Sequence, residues 1–344
     1  MFKVIKYEDI DNNKIDGKHI LIDVRSSWEF RTENIPGSIN IPIFNDEERK
    51  LIGTTYIEDS PELAKKMGIK FASEKLPAIY EQVAKLDKEY DKLIFFCARG
   101  GFRSSSLVSL FMTIGVNSFK LDKGYKGYRK YINENLPKII KDVKFVVLYG
   151  NTGAGKTDIL KSLKDRGMDI LDLEACANHR GSILGSVGLG QQSTQKTFES
   201  LVYKALKDRK TDLVFVEGES KKIGKVVIPE YIYENMNNGI NICIDTKLEL
   251  RIENILRDYV HGTDEELIVA LNYLRQQLGH EKIDNYIHMI NQDQYGQIIG
   301  DLMINYYDPH YEYKNRKYIK TFNNENSILT ADKIIKWTED KKNT

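Results

Sequence analysis

Within seven residues, the segment Cys97-Ala98-Arg99-Gly100-Gly101-Phe102-Arg103 sets one thiol among two glycines and two arginines. The apolar run Leu93-Ile94-Phe95-Phe96 precedes it and Ser104-Ser105-Ser106 follows, a pattern that predicts strand, tight loop and helix start. Loop amides turned inward in that setting form a concave anion nest, and the helix adds the positive end of its dipole. A thiol at the mouth of such a nest, with Arg99 and Arg103 beside it, is expected to ionise more readily than a free cysteine. Cys97 is therefore a candidate nucleophile or carrier of a transferable atom. The plainer reading is a buried cysteine closing a core strand, but packing gives no reason for the flanking arginines and glycines.

A second segment fits an anion of another kind. The strand-like run Lys144-Phe145-Val146-Val147-Leu148-Tyr149 leads into Gly150-Asn151-Thr152-Gly153-Ala154-Gly155-Lys156-Thr157, and a helical pattern runs from Ile159 to Lys164. This is the phosphate-loop pattern in its required context. Gly150, Gly153 and Gly155 let backbone N–H groups cradle two linked phosphates. Lys156 neutralises their outer oxygens, and the Thr157 hydroxyl is a candidate magnesium ligand. Downstream, Leu213-Val214-Phe215-Val216 ends in Glu217, with Glu219 close behind. Either acid is a candidate for organising a metal or a general-base water, and either equally suits an ion pair with Lys221 or Lys222. No residue set reads as a fixed metal site.

Between those two strands lies an unusual polar stretch: His179-Arg180-Gly181-Ser182, then Gly185, Gly188 and Gly190, then Gln191-Gln192-Ser193-Thr194-Gln195. So many Gly, Gln and Ser residues predict an adaptable loop. Arg180 with Ser182 is a candidate clamp for a second phosphate or an RNA backbone. His179 reads equally as an exposed loop residue or a functional one.

Parallel α/β sheets are what would aim such loops. His19–Arg25 reads as a buried strand, Ser26–Phe30 as a capped helix start, Asn34–Pro42 as a Pro-Gly turn into a short strand, and Ile79, Val83 and Leu86 keep helical spacing. Strands alternating with helices predict an α/β fold with its active edge at the strand carboxyl ends. The Lys-rich stretch between Leu121 and Lys144 reads as a solvated linker helix, and Pro137 marks a boundary, giving domains 1–137 and 138–344. From Leu248 onward the pattern is helical. Thr263-Asp264-Glu265-Glu266 predicts a capping box, and Ile298, Ile299, Leu302 and Met303 predict a packing stripe. Aromatics from Tyr306 to Tyr318, interleaved with Lys314, Arg316, Lys317 and Lys320, suit stacking on single-stranded RNA or a docked tail helix.

The chain has 344 residues, enough for two cores. With 51 basic and 50 acidic residues, no global field draws polyanions, so nucleic-acid binding requires a local basic patch. Cysteines at 97, 176 and 243 suit a reducing cytosol rather than a disulfide framework. The absence of an export segment or a transmembrane-length run predicts a cytoplasmic protein that engages no membrane.

Three segments together, Asp23-Val24-Arg25-Ser26 with Glu29-Phe30, Asn34-Ile35-Pro36-Gly37-Ser38-Ile39-Asn40-Ile41-Pro42 and the Cys97 loop, resemble a rhodanese-like domain. That family carries sulfur or selenium on its loop cysteine, and it usually has His where Asn34 stands. The resemblance makes Asp23 and Arg25 structural braces of the loop. The spacing from Cys97 to Arg103 also satisfies cysteine-dependent phosphatases, which favour a His where Phe96 stands. A rhodanese-like domain followed by a P-loop NTPase-like α/β domain with a helical C-terminal region, bearing His179-Arg180-Gly181-Ser182, Phe198-Glu199-Ser200, Val216-Glu217-Gly218-Glu219-Ser220 and Ile228-Pro229, resembles the tRNA 2-selenouridine synthase family. Tyr306-Tyr307-Asp308-Pro309-His310-Tyr311 looks like that family's tail.

The resemblance implies replacement of sulfur by selenium at C2 of a wobble uridine. The sulfur of 2-thiouridine is first alkylated by geranyl diphosphate on the phosphate loop. Selenium from selenophosphate then displaces it through an S-selanyl intermediate on Cys97, with Arg99 and Arg103 holding the anion. It implies the tRNA anticodon stem-loop as partner, selenophosphate synthetase as a candidate supplier, no DNA, and no tightly bound cofactor, with magnesium a candidate requirement. Two other readings stay open: a P-loop NTPase or kinase with a regulatory rhodanese module, and a sulfurtransferase that thiolates tRNA.

Overall fold

In a computed structural model that describes residues 3–310 and 316–342, the chain divides into two compact units, Met1–Leu136 and Pro137–Thr344. Each unit is built on its own five-stranded, wholly parallel sheet. Both are α/β, as the alternation of apolar runs and helical spacing predicts.

The first unit contains β1 (Val4–Ile5), β2 (His19–Asp23), β3 (Ile39–Asn40), β4 (Lys92–Phe96) and β5 (Ser118–Leu121), ordered β1-β5-β4-β2-β3. β4 is central, and Leu93, Ile94, Phe95 and Phe96 are all buried because helices cover both faces of a parallel sheet. Ser26 caps helix Ser27–Thr32 in a full capping box with Glu29. Helix Phe102–Thr113 follows the Cys97 loop and buries Leu107, Val108 and Phe111 against the sheet.

The Lys-rich stretch differs from its expectation. Gly124–Ile139 is a helix that buries Tyr125, Tyr128, Ile132 and Leu136, so one face packs into the first unit and only the other is solvated. Its aromatic and aliphatic residues recur at helical spacing between the lysines, and that buried stripe outweighs the charges around it. The helix also passes through Pro137 for two more residues, near its end where few i→i−4 bonds remain to be lost.

The second unit contains β6 (Lys144–Tyr149), β7 (Ile170–Leu171), β8 (Leu213–Glu217), the antiparallel pair β9 (Lys222–Ile223) and β10 (Val226–Val227), β11 (Ile240–Asp245) and β12 (Lys320–Asn323). The main sheet runs β12-β11-β6-β8-β7. β6 lies where the chain switches from building one side of the sheet to the other, the position at which parallel sheets open a ligand crevice. The C-terminal region is helical but not wholly so: β12 returns to pair in parallel with β11. A separate helical core includes Tyr259, Leu271, Leu274, Tyr286, Ile299 and Leu302. Thr263 makes no capping box. Its hydroxyl turns back to the Tyr259 carbonyl, and Glu266 accepts from the Gly188 amide at 2.8 Å instead. Among the described residues no helix is long and apolar enough to cross a membrane.

Candidate functional site

The loop after β4 places Cys97 at the strand's end with 3 % of its surface exposed. Its Sγ lies 3.3 Å from Ser104 Oγ and 3.9 Å from the Gly101 carbonyl. Among the described residues the amides of Ala98, Arg99, Gly100 and Gly101 have no acceptor, and those opening helix Phe102–Thr113 have none within the helix. The loop therefore offers a set of unspent donors around one sulfur. Tyr125 N–H donates to the Cys97 carbonyl and Lys126 N–H to that of Ala98, both at 2.9 Å, so the loop is clamped by the start of helix Gly124–Ile139. Gly124 sits at φ +54° with the Cys97 carbonyl directly against its Cα, where a Cβ would collide.

Asp23 and Arg25 connect to the same clamp. Arg25 donates to both Asp23 oxygens (2.7–3.0 Å) and to the Glu33 carbonyl, and its guanidinium lies 4.3 Å over the Tyr125 ring. Burial pushes the Asp23 carboxyl up, against the pull of Arg25. The two arginines of the loop part company. Arg103 is half-buried and forks onto Glu29 at 2.7 and 3.4 Å. Burial raises the Glu29 carboxyl, yet Arg103, the Ser26 amide and Arg49 together hold it below the ordinary carboxylate range. Arg99 is exposed and has no partner among the described residues.

In the second unit the phosphate loop joins β6 to helix Lys156–Asp165, with Gly153 at φ +76° and Gly155 at φ +78°. Lys156 Nζ donates to the Gly150 carbonyl at 2.9 Å. Four side chains hold the loop carbonyls, each at 2.9 Å: Arg251 on Thr152, Asn254 on Gly153, and both Thr246 and Asn324 on Ala154. With its carbonyls pinned outward, the loop turns its amides toward a cleft of about 130 Å³. Asp308 in turn grips Arg251 at 2.6 and 2.9 Å, which gives the Tyr306–His310 segment a mechanical role; Tyr311 and Lys314 fall outside the described residues.

Arg180, Glu174, Glu219 and Tyr259 line that cleft together with Lys156 and Thr157. Arg180 donates to the Val187 carbonyl at 2.8 Å and lies 4.6 Å over the Tyr259 ring. Ser182 stands apart from the cleft, 3.3 Å from the Tyr259 hydroxyl. His179 is buried; its Nδ1 accepts from the Gly181 amide at 3.2 Å, and burial and Arg180 hold its pKa down. The glutamine-rich stretch is pinned rather than adaptable. Gln192 and Gln195 each exchange two hydrogen bonds (2.8–3.0 Å) with the β9–β10 hairpin backbone, so side-chain amides do the work of a missing strand.

Three acids crowd together, and two of them, Glu174 and Glu219, feel Lys156. Glu217 is fully buried; its Oε1 accepts from the Glu174 amide at 2.9 Å while Oε2 has no partner among the described residues. Burial, then Asp172 and Glu174, push its carboxyl well up. Glu219 is pushed up to about 8 by burial and by Glu174, with Lys156 opposing. Burial also raises Glu174, and Lys156 opposes it. Neither Glu217 nor Glu219 pairs with Lys221, which bonds Glu230 instead. Thr157 Oγ1 donates to Glu174 at 3.2 Å. Among the described residues no group of three or more His, Cys, Asp or Glu is spaced to hold a metal ion. Glu174, Tyr259 and Arg251 carry no signature of their roles in sequence; each reaches its site from a distant segment, and only the acidic start of helix Leu173–Ala177 leaves a local trace. Glu29, read in sequence as part of a motif and a capped helix start, reaches Arg103 from 74 residues away.

Comparison with known proteins matches both halves. Residues 143–344, more than half the chain, match the family model of the tRNA 2-selenouridine synthase AAA domain, and residues 7–131 match the rhodanese-like domain. A tRNA 2-selenouridine synthase of Pseudomonas fluorescens is 30 % identical over 86 % of this chain and 88 % of its own. One from Nitrosomonas europaea is 35 % identical over 71 % of this chain, which spans 64 % of that relative's length. Among solved structures, the N-terminal domain of an ATP/GTP binding protein from Clostridium difficile 630 is 38 % identical over 38 % of this chain and 98 % of its own, with a TM-score of 0.36.

Proposed function

The chain belongs to the tRNA 2-selenouridine synthase family, and from that membership we propose that it is a cytoplasmic tRNA-modifying enzyme which turns 2-thiouridine at the wobble position into 2-selenouridine. The observation that carries this reading is the presence of two separate anion cradles in one chain: unspent amides around a cysteine, and a pinned phosphate loop facing Lys156 and Arg180.

The second cradle takes geranyl diphosphate. The thiocarbonyl sulfur attacks C1 of the geranyl group, the C–O bond breaks, diphosphate leaves, and N3 of the base loses its proton. Lys156, Arg180 and the loop amides stabilise the leaving diphosphate. Alkylation converts a poor leaving group into a thiolate that C2 can expel.

The first cradle takes selenophosphate, supplied by a selenophosphate-making partner. The Cys97 sulfur bonds to selenium as the Se–P bond is hydrolysed to phosphate. Since an S–Se bond lies two electrons above thiolate plus selenide, a disulfide accepts those electrons and becomes two thiols. The selanyl selenium then attacks C2, geranylthiolate leaves, and two thiols reduce the remaining Se–S bond, regenerating Cys97 and the disulfide. The thiol–disulfide couple cancels over the cycle.

Mass spectrometry of a 2-thiouridine anticodon stem-loop tests the reading. Geranyl diphosphate alone is expected to add one geranyl group, and further addition of selenophosphate, with a thiol–disulfide buffer, to replace geranyl-sulfur by selenium. ATP hydrolysis stimulated by tRNA, with no geranylated RNA, overturns it in favour of an NTPase.

A further inference from the structure

The whole chain is almost neutral, yet between Cys97 and Lys130 it carries seven Arg and Lys residues against one acid, Asp122. The fold gathers much of that charge at the cysteine loop. Lys126 follows helix Gly124–Ile139's second residue, and its amide holds the Ala98 carbonyl at 2.9 Å. The Lys123 backbone lies against Gly100, where an added Cβ would come 3.4 Å from the Lys123 carbonyl carbon. Arg99 is in the loop itself. All three side chains are exposed, and none has a hydrogen-bond or ion-pair partner among the described residues. The remaining charges facing the loop do not offset them: Glu29 is engaged by Arg103 and Arg49, and Asp23 by Arg25.

An aromatic stands in the same ring of cations. Phe102, next to Gly101, is 81 % exposed, on a helix that buries Leu107, Val108 and Phe111. A free phenyl ring set among unpaired cations is the combination that single-stranded nucleic acid requires, with the phosphates on the charges and a base on the ring. An acidic protein surface would use the cations but leave the ring without a stacking partner.

We propose that the rim formed by Lys123, Lys126 and Phe102 around the Cys97 loop is an RNA-docking surface, on which single-stranded phosphates flanking the target nucleotide sit on the two lysines and one base stacks on Phe102. This rests on the tRNA-modifying reading and gives the first unit its own share of tRNA recognition. The uridine is thereby presented to the sulfur that carries selenium.

The test is binding of a fluorescently labelled anticodon stem-loop to the full chain across a salt series, with thermal melting to verify the fold of each variant. Lys123→Glu/Lys126→Glu is expected to weaken binding at least tenfold and to flatten the slope of log Kd against log salt by about 1.4, two single-strand phosphate contacts. Phe102→Ala is expected to weaken binding about tenfold with the slope unchanged. Lys65→Glu/Lys66→Glu, an equal charge change on exposed residues of helix Pro61–Asp87, serves as the control and should leave binding within twofold. Equal losses in the rim and control pairs overturn the proposal in favour of a general field. Unchanged RNA binding in folded rim variants also overturns it, leaving the face to an acidic protein. Failure of the wild-type chain to bind RNA at all refutes the tRNA reading itself, a result distinct from either.

Discussion

The acids beside the phosphate loop make the affinity for a diphosphate depend on pH in a direction opposite to that of the ligand's own ionisation. Glu219 lines the cleft and titrates near 8, because burial and the neighbouring Glu174 disfavour its charge more than Lys156 favours it. Protonated, it leaves Lys156 and Arg180 to meet the phosphates; ionised, it competes for Lys156 and repels them. If only the protonated form binds, the apparent Kd scales as 1 + 10^(pH − pKa), which is close to unity at pH 7 and about tenfold weaker at pH 9. The second ionisation of a phosphate ester has its midpoint near pH 6, so above about pH 7 the ligand itself gains almost no further charge. The sign for folding is the same: a carboxyl raised in the folded state contributes stability below its unfolded value near 4.5, and that contribution is lost as pH rises through about 8. Calorimetric titration with geranyl diphosphate from pH 6.5 to about 9.5 should show this weakening in the wild-type chain and a flat profile in Glu219→Gln. The titration belongs to the Glu174–Glu219 pair rather than to one oxygen, so the midpoint tests the cluster and the variant tests the residue. Affinity that rises with pH, or an unchanged profile in Glu219→Gln, refutes the argument.

Cys97→Ser should abolish selenation while S-geranylation stays within about twofold of wild type, since the chemistry assigns the thiol to the second stage alone; loss of both stages in a folded variant breaks the division of labour. Lys156→Ala removes a charge-assisted contact and should weaken geranyl diphosphate about 10- to 100-fold, with selenium loading of Cys97 by mass spectrometry unaffected. Gly124→Ala forces a side chain at φ +54° into the Cys97 carbonyl. It should cost about 1–3 kcal/mol in chemical denaturation and eliminate loading of Cys97 while geranylation persists. A fully loaded Gly124→Ala protein would show that the loop does not need that clamp.

Both anion cradles were legible because each is written in consecutive residues. A strand, glycines at fixed offsets and a helix start form one local unit, so Cys97 and the span from Gly150 to Thr157 could be read without any knowledge of packing. What holds those loops in shape was not legible, for the opposite reason. Arg251 reaches the Thr152 carbonyl from 99 residues away and is itself held by Asp308, 57 residues further on. Spacing within a helix says only that Arg251 lies on one face of it, and helical periodicity alone predicts a solvated arginine. The same limit governs the Gln-rich stretch: polar side chains in sequence carry no sign of whether water or a hairpin backbone will accept their hydrogen bonds, and Gln192 and Gln195 bond a hairpin. It explains Arg103 as well. Its place in the loop marks it for the anion, yet Glu29, 74 residues earlier, forks onto it. An anion arriving at Cys97 must therefore either share Arg103 with Glu29 or rely on the amides and Arg99. Because a bidentate Arg–carboxylate pair is among the stronger contacts a half-buried site can hold, the backbone nest rather than Arg103 is the part of this site preorganised to receive charge.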